Sequence, residues 1–404
     1  MTTNNNNRLL AITAGLLALV GSMPTAVAQE WIFDPVVRAG WEVDDNAVLS
    51  IRTDEEVKIS GWLTDVSAEV GYNSETTDFS LTPRARVRRY DDDTFDSTDL
   101  FGLMNFRHLT KSSMFRIRGS YESESVRTAE RSDAQSEFTD PEDLTNDDTG
   151  LVQVGGDRER WQVRPSYTYR ISDTSSISLN LEYMDVSYDD LVADVLLDYT
   201  DKSAEISYGR KISGVTDIIF LASGRDYENS DQINEFSGFS MMGGIRRQLS
   251  PKTELRALVG AEVAEFDNDR ETANELAVDL SLTRRLETIT VLAAYRRGIV
   301  ADGGWLPTAR QNFTLNFSRQ LSEKITVGIG ARSYKTEEVS SGAGSARNFV
   351  ELRASFGWYL TPTLVVRMDL KHRNIDRGDL IGESADSNQL GLWFVYRPNT
   401  PDFR

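Results

Sequence analysis

The chain has 404 residues and a net charge of −19 at pH 7, no cysteine, and only two histidines, His108 and His372. That charge excludes the basic footprint of a nucleic-acid-binding protein, and the missing cysteines remove thiol nucleophiles, cysteine zinc sites and disulfides. Hydrophobic residues are 39% and mean hydropathy is −0.40, values shared by water-soluble proteins and by β-barrels that alternate lipid-facing with lumen-facing residues.

In chain order, Arg8 precedes an apolar run, Leu9 to Val20, that is too short to span a bilayer as a helix. Ala26-Val27-Ala28 follows with the small-x-small pattern of a cleavage site. This predicts a secretion signal over 1–28, removed after Ala28, and a single barrel domain over 29–404. No later segment approaches eighteen uninterrupted apolar residues, so no transmembrane helix competes. Segments near 35–44, 57–72 and 77–90 alternate apolar with polar residues. Seven short connectors come next, each flanked by alternating segments: Lys111-Ser112, Asp173-Thr174, Ser213-Gly214, Pro251-Lys252, Glu287-Thr288, Ser322-Glu323 and Thr361-Pro362. A last alternating segment covers 388–397. Longer, polar connectors separate the hairpins, the longest over 126–156. Short turns on one side and long loops on the other belong to an antiparallel transmembrane β-barrel, with the turns and both chain ends in the periplasm. The count is about eighteen strands, or sixteen without the first pair. A soluble sandwich or propeller would not require that alternation of loop lengths.

The alternation also assigns faces, because successive side chains in a strand point to opposite sides. In Trp161–Ile171 the odd positions are large and apolar. Val350, Leu352, Ala354, Phe356, Trp358 and Leu360 form one apolar face, and Leu390, Leu392, Phe394 and Tyr396 another. Tyr167, Tyr169, Tyr183, Trp358, Tyr359 and Tyr396 are expected in aromatic girdles. With apolar faces outward, the inward set is rich in arginine, and its acids are about half as many. Arg84, Arg86, Arg164, Arg170, Arg353 and Arg367 are the pore-lining candidates, since rings of arginine favour anions. The bland alternative is an interior lattice of Arg–Glu pairs that binds nothing. The acids are expected to gather in outer loops, from Asp91 through Asp99, from Glu130 to Asp148 and beyond. There they could bridge divalent cations to anionic surface glycolipid, although none has the spacing of a calcium loop. The 126–156 segment is read as a mobile external loop, with folding into the barrel as the other option. His108 and His372 lack a convincing acid partner, so no catalysis, cofactor or metal is expected.

The early segment Ala39-Gly40-Trp41-Glu42-Val43-Asp44-Asp45-Asn46 and the strand endings Tyr167-x-Tyr169-Arg170 and Gly357-Trp358-Tyr359-Leu360-Thr361-Pro362-Thr363 resemble the outer-membrane β-barrel porins of Gram-negative bacteria, especially those associated with exopolysaccharide genes. The resemblance covers the whole mature chain. It implies an outer-membrane location, contact with lipid and lipopolysaccharide, assembly by the barrel-assembly machinery, and no catalytic residues. It implies passage or export of hydrophilic solutes, anionic ones included, or of polysaccharide. A sealed structural or adhesion barrel acting through acidic loops is the alternative. The aromatic assembly signal is displaced from the last position, to Phe403 or Tyr396. No plug, passenger or peptidoglycan-binding domain is visible.

Overall fold

Segments of thirteen or so alternating residues, rich in β-branched and aromatic side chains, can satisfy their main-chain groups in lipid only by pairing with neighbours in a closed sheet. The computed structural model shows that sheet. It describes residues 30–50, 55–130, 152, 154–191, 196–232, 235–267, 272–300, 303, 307–339, 347–377 and 384–399. Its strands are β1 (Glu30–Asp44), β2 (Ile59–Asn73), β3 (Thr77–Tyr90), β4 (Ser97–Leu109), β5 (Ser113–Ser125) and β6 (Asp157–Arg170). Then come β7 (Ser175–Asp189), β8 (Tyr199–Ser213), β9 (Thr216–Asn229), β10 (Phe236–Ser250), β11 (Thr253–Phe266) and β12 (Ala273–Arg285). The last six are β13 (Ile289–Val300), β14 (Thr308–Ser322), β15 (Ile325–Glu338), β16 (Arg347–Thr361), β17 (Leu364–Arg377) and β18 (Ser384–Tyr396). Each pairs antiparallel with the next, and β18 pairs with β1 from Val37↔Tyr396 to Asp44↔Gln389, closing an 18-stranded barrel. The first pair, the less secure part of the sequence-based count, is therefore in the wall.

All short turns lie at one end of the barrel together with Glu30, which pairs with Asn73, and Tyr396, which pairs with Leu364. An eighth short connection, 74–76, joins β2 to β3. Three predicted turns sit one residue too early. In β8, β14 and β16 a register shift adds one residue to the strand just before the turn, at Lys211/Ser213, Gln320/Ser322 and Tyr359/Thr361; β10 carries the same shift at Gln248/Ser250 before the correctly placed Pro251-Lys252 turn.

The faces follow the alternation. Leu352 is 50% exposed on the outside, and Val350, Phe356, Trp358 and Leu360 point the same way. Tyr359 cannot share a face with Trp358. It borders a lumen cavity, so it does not belong to the girdle. A Cβ on Gly244 of β10 would sit 1.9 Å from the Ala257 carbonyl oxygen, and one on Gly260 of β11 1.8 Å from the Met241 carbonyl oxygen. Only glycine fits at either position.

The loop end of the lumen is packed. Val126–Ala129 form one helical turn inside the mouth, with Val126 and Thr128 almost wholly buried. Val126 joins an apolar cluster with Tyr188, Tyr199, Tyr227, Phe236 and Ile299. Leu49 packs with Tyr334, Phe349 and Ile375, and Ala47 with Ile59 and Phe95. The described flanks of the 126–156 segment thus turn inward, contrary to the external reading. A lone polar loop can stay in water, but one carrying Val126 and Ala129 gains by burying them against inward-facing aromatics. Residues 131–151, like 1–28 and Phe403, lie outside the described residues.

Candidate functional site

The middle of the lumen is built on strand register. Arg38 of β1 and Arg86 of β3 stand directly opposite Asp65 of β2, and Arg84 is two residues from Arg86. Inward phase therefore aims three guanidiniums at one carboxylate. Asp65 receives Arg38 Nη1 at 3.2 Å, Arg84 Nη2 at 2.6 Å and Arg86 Nε at 3.0 Å. Arg84 and Arg86 also lie over the Phe101 ring, 5.5 and 5.6 Å from its centroid. Across the closing seam, Arg353 of β16 faces Lys371 of β17, and Arg367 Nε donates to Asp369 at 3.1 Å. One cavity joins these groups. Seven cationic side chains line it against three carboxylates, Glu42, Asp65 and Asp369, so it is net positive. A neighbouring cavity of about 290 Å³ carries Arg118, Arg160 and Arg164, with Glu122 as its one lining acid.

About half the circumference away, a cavity of about 380 Å³ is charge-balanced. There Arg225 grips Asp201 at 2.5 Å, Arg164 meets Glu182 at 3.1 Å, and Arg256 meets Asp279 at 3.5 Å. Arg225 Nη1 also donates to the Ile299 carbonyl at 3.0 Å, and the Ile299 N–H donates to Glu262 at 2.9 Å. Pairing between β12 and β13 ends at Val278↔Arg297, whereas β13 follows β14 to Val300. The end of β13 therefore leans into the lumen. Gly303 beyond it accepts from Leu197 N–H at 2.9 Å.

Ion pairs hold the mouth. Arg158 contacts Glu124 at 3.3 Å and Glu130 at 3.4 Å, and Arg160 contacts Glu122 at 2.5 Å. Arg88 is paired with Asp99 and donates to Thr128 at 3.0 Å. Arg127 lies over Tyr90 and Phe95. On the other side Arg373 pairs with Glu351 at 2.9 Å, and the Asn46 amide ties the 45–50 segment to Ser50 and Asp386 carbonyls. Asp99 and Glu130, expected among the outer acids, are thus buried counterions inside the barrel. Asp91 does lie in a connection outside the strands. Its carboxylate accepts the Ser60 N–H at 2.9 Å and hydroxyl at 3.0 Å, bonds that hold it below the ordinary carboxylate range.

Of the lining candidates, Arg84, Arg86, Arg353 and Arg367 border one cavity. Arg164 borders the two others, and Arg170 stands exposed near the short-turn end, away from all three. The inward acids are more numerous than the phase assignment gave, with Asp65, Glu122, Glu124 and Asp201 added. Arg158, Arg160, Arg225 and Arg310 were missed too. Extending the alternation two steps upstream of Trp161 would have found Arg158 and Arg160. Gly391 is covered by the Trp393 ring. Both histidines face outward: His108 Nδ1 meets the Thr77 hydroxyl at 2.9 Å and His372 Nδ1 meets Asn388 at 3.0 Å.

No protein-family model and no curated protein matches the chain. Among solved structures it is similar to Pseudomonas aeruginosa OpdQ, with 9% identity, TM-score 0.47, and coverage of 91% of this chain and 98% of that one. The outer membrane protein OpdK of Pseudomonas aeruginosa gives 11% identity, TM-score 0.46, and coverage of 91% and 99%. OccAB4 of Acinetobacter baumannii gives 9%, 0.47, and coverage of 92% and 98%.

Proposed function

We propose that the chain is a porin-like channel of the Gram-negative outer membrane that passes small hydrophilic solutes, anions in preference. A closed barrel whose outer face repeats exposed residues such as Leu352 is suited to lipid, since in water that face would be a large aggregating patch. The predicted signal, cleaved to leave Gln29 first, would route it there. The carrying observation is the cavity where seven cations meet three carboxylates. Lipid, lipopolysaccharide and the barrel-assembly machinery are the partners this reading implies. Small solutes suit the lumen better than a polysaccharide chain, because the 45–50 and 126–130 segments occupy its mouth.

The reversal potential across an asymmetric salt gradient tests this. Anion selectivity is expected despite the charge of −19, because loop charges farther than about 8 Å are largely screened at physiological salt. Replacing Arg84, Arg86, Arg164, Arg353 and Arg367 together should move the potential toward cations. A cation-selective wild type would overturn the reading. The packed mouth favours a second reading, a sealed structural or adhesion barrel, and no conductance at all would support it.

A further inference from the structure

Strands β12 and β13 stop pairing at Val278↔Arg297, yet neither strand ends there. β12 stays on β11 as far as Ala264↔Ala273, and β13 stays on β14 as far as Val300↔Thr308. The wall is therefore split rather than frayed, with Ala273–Ala277 as an open sheet edge on one side and Gly298–Val300 on the other. The cavity of about 380 Å³ reaches this split, since Ala277, Val278, Arg297 and Ile299 all border it.

Side chains hold the split open. Ile299 has the lipid-facing phase of Tyr295, which stands opposite the exposed Leu280. It is nevertheless 3% exposed and packed in the mouth cluster with Ala264, Phe266 and Ala273. Its N–H and C=O, which β12 would otherwise pair, go to Glu262 and to Arg225 Nη1. Gly298 makes room for that contact, because a Cβ there would lie 2.9 Å from Glu262 Oε2. Arg297 has outward phase and Glu275 inward phase, so in a closed ladder they would point to opposite faces. Here Arg297 Nη2 meets Glu275 at 3.0 Å, a bond that runs through the split.

An open sheet edge in a membrane wall is unfavourable, because lipid offers its N–H and C=O groups no partner. The edge of β12 has a matching segment nearby. Continuing the register of Val278↔Arg297 places Ala277 opposite Gly298 and Leu276 opposite Ile299. Ile299 would then trade its two bonds to side chains for two main-chain bonds with Leu276. Arg225 would keep its counterion, since its Nε and Nη2 stay on Asp201.

We infer that Gly298–Val300 exchange between these two seats and thereby gate the lumen. Docked inward, the segment narrows the mouth and leaves the wall split. Zipped onto β12, it withdraws from the lumen and closes the wall. Both seats satisfy the Ile299 main chain, so the exchange strands no buried main-chain group. The gate rests on the reading of the barrel as a channel, and the exchange itself does not.

Disulfide trapping tests it, because the chain has no cysteine of its own. Leu276→Cys and Ile299→Cys are combined in the full chain and refolded into liposomes. Leu276 is 50% exposed on the outside and Ile299 is buried inside, so the thiols meet only when the segment is zipped. Directly opposite positions then lie about 5.5 Å apart at Cα, within disulfide reach. That pair should bridge under mild oxidant, whereas Asn274→Cys with Ile299→Cys, off register by two residues, should not. Adding Arg297→Gln, which cuts the bond through the split, should speed bridging about tenfold. Single-channel conductance should rise on oxidation and fall back on reduction. No bridge in a folded variant, or equal bridging of both pairs, would overturn the exchange. If the double variant does not refold, Arg297→Gln alone carries the test. Occupancy of its larger conductance level should rise about tenfold over the wild type, and unchanged occupancy would overturn the gate. A bridge that leaves conductance unchanged in a conducting barrel would also overturn the gate. A bridge in a barrel that never conducts would keep the exchange and remove the channel.

Discussion

Replacing Asp65 by Asn perturbs the basic wall where charge is most concentrated. The Asp65 side chain is 1% exposed, and those of Arg38, Arg84 and Arg86 are 20%, 18% and 12% exposed. Asparagine keeps one acceptor and the size, but removes the negative charge that three guanidiniums share. Removing one partner from a buried ion pair costs about 3–5 kcal/mol, because the remaining charge is left without compensation. Here the arginines keep some access to lumen water and Arg84 and Arg86 keep Phe101, so the lower end, about 3 kcal/mol, is expected. Urea unfolding in liposomes reads that loss. The same substitution adds one positive charge to the cavity, so the reversal potential should move further toward anions. The two effects have opposite functional sense: the barrel becomes less stable and more selective. A variant as stable as the wild type, with an unmoved reversal potential, would refute the claim that Asp65 is the shared counterion.

Leu352→Arg should cost roughly 2–4 kcal/mol near the bilayer midplane, whereas Arg353→Leu, on the lumen face, should escape that penalty; a lipid refolding titration compares them, and equal effects would mean the faces are assigned wrongly. Gly244→Ala should destabilise by about 1–3 kcal/mol through the clash with the Ala257 carbonyl. Gly214→Ala, with nothing within 4 Å of the new methyl, should stay within about 0.5 kcal/mol in the same unfolding assay. Arg225→Ala removes the side chain that holds the Ile299 carbonyl and should raise single-channel conductance; an unchanged conductance would show that the leaning end of β13 does not limit the path.

Strand number, barrel closure and the position of the start of β1 and the end of β18 at the short-turn end were legible because each depends on one-dimensional features: a period of two and an alternation of short and long connectors. The errors have local physical causes. A bulged residue before the turns at Ser213, Ser322 and Thr361 adds length that alternation alone does not reveal. Tyr359 was grouped with its neighbour Trp358 by residue type, although adjacent positions in a strand face opposite sides. Asp65 sits at an inward position next to inward arginines and could have been found by phase. Trp393 was hidden for a different reason. An inward tryptophan contradicts a simple apolar-out pattern, and its placement depends on two glycines, Gly391 and, on the other side of the closing seam, Gly40.

The loop end shows why net charge misleads about the lumen. Several acids that alternation leaves outside the wall, Asp99 and Glu130 among them, are drawn in as counterions to Arg88 and Arg158. Burial without such partners would cost several kcal/mol per ion, so inward-turned segments must bring opposite charge with them. Among the described residues the buried arginines of the mouth are thus matched by carboxylates, and so is Arg225 in its cavity, where Asp201 plays the same part. Beside the closing seam three arginines share Asp65, and Arg353 has no ion pair among the described residues. Arg38, Arg84 and Arg86 each keep some exposure to the lumen, so water there can solvate that surplus. The local excess of positive charge is thus confined to one side of the lumen, beside the closing seam, and a passing anion can supply the missing counter-charge.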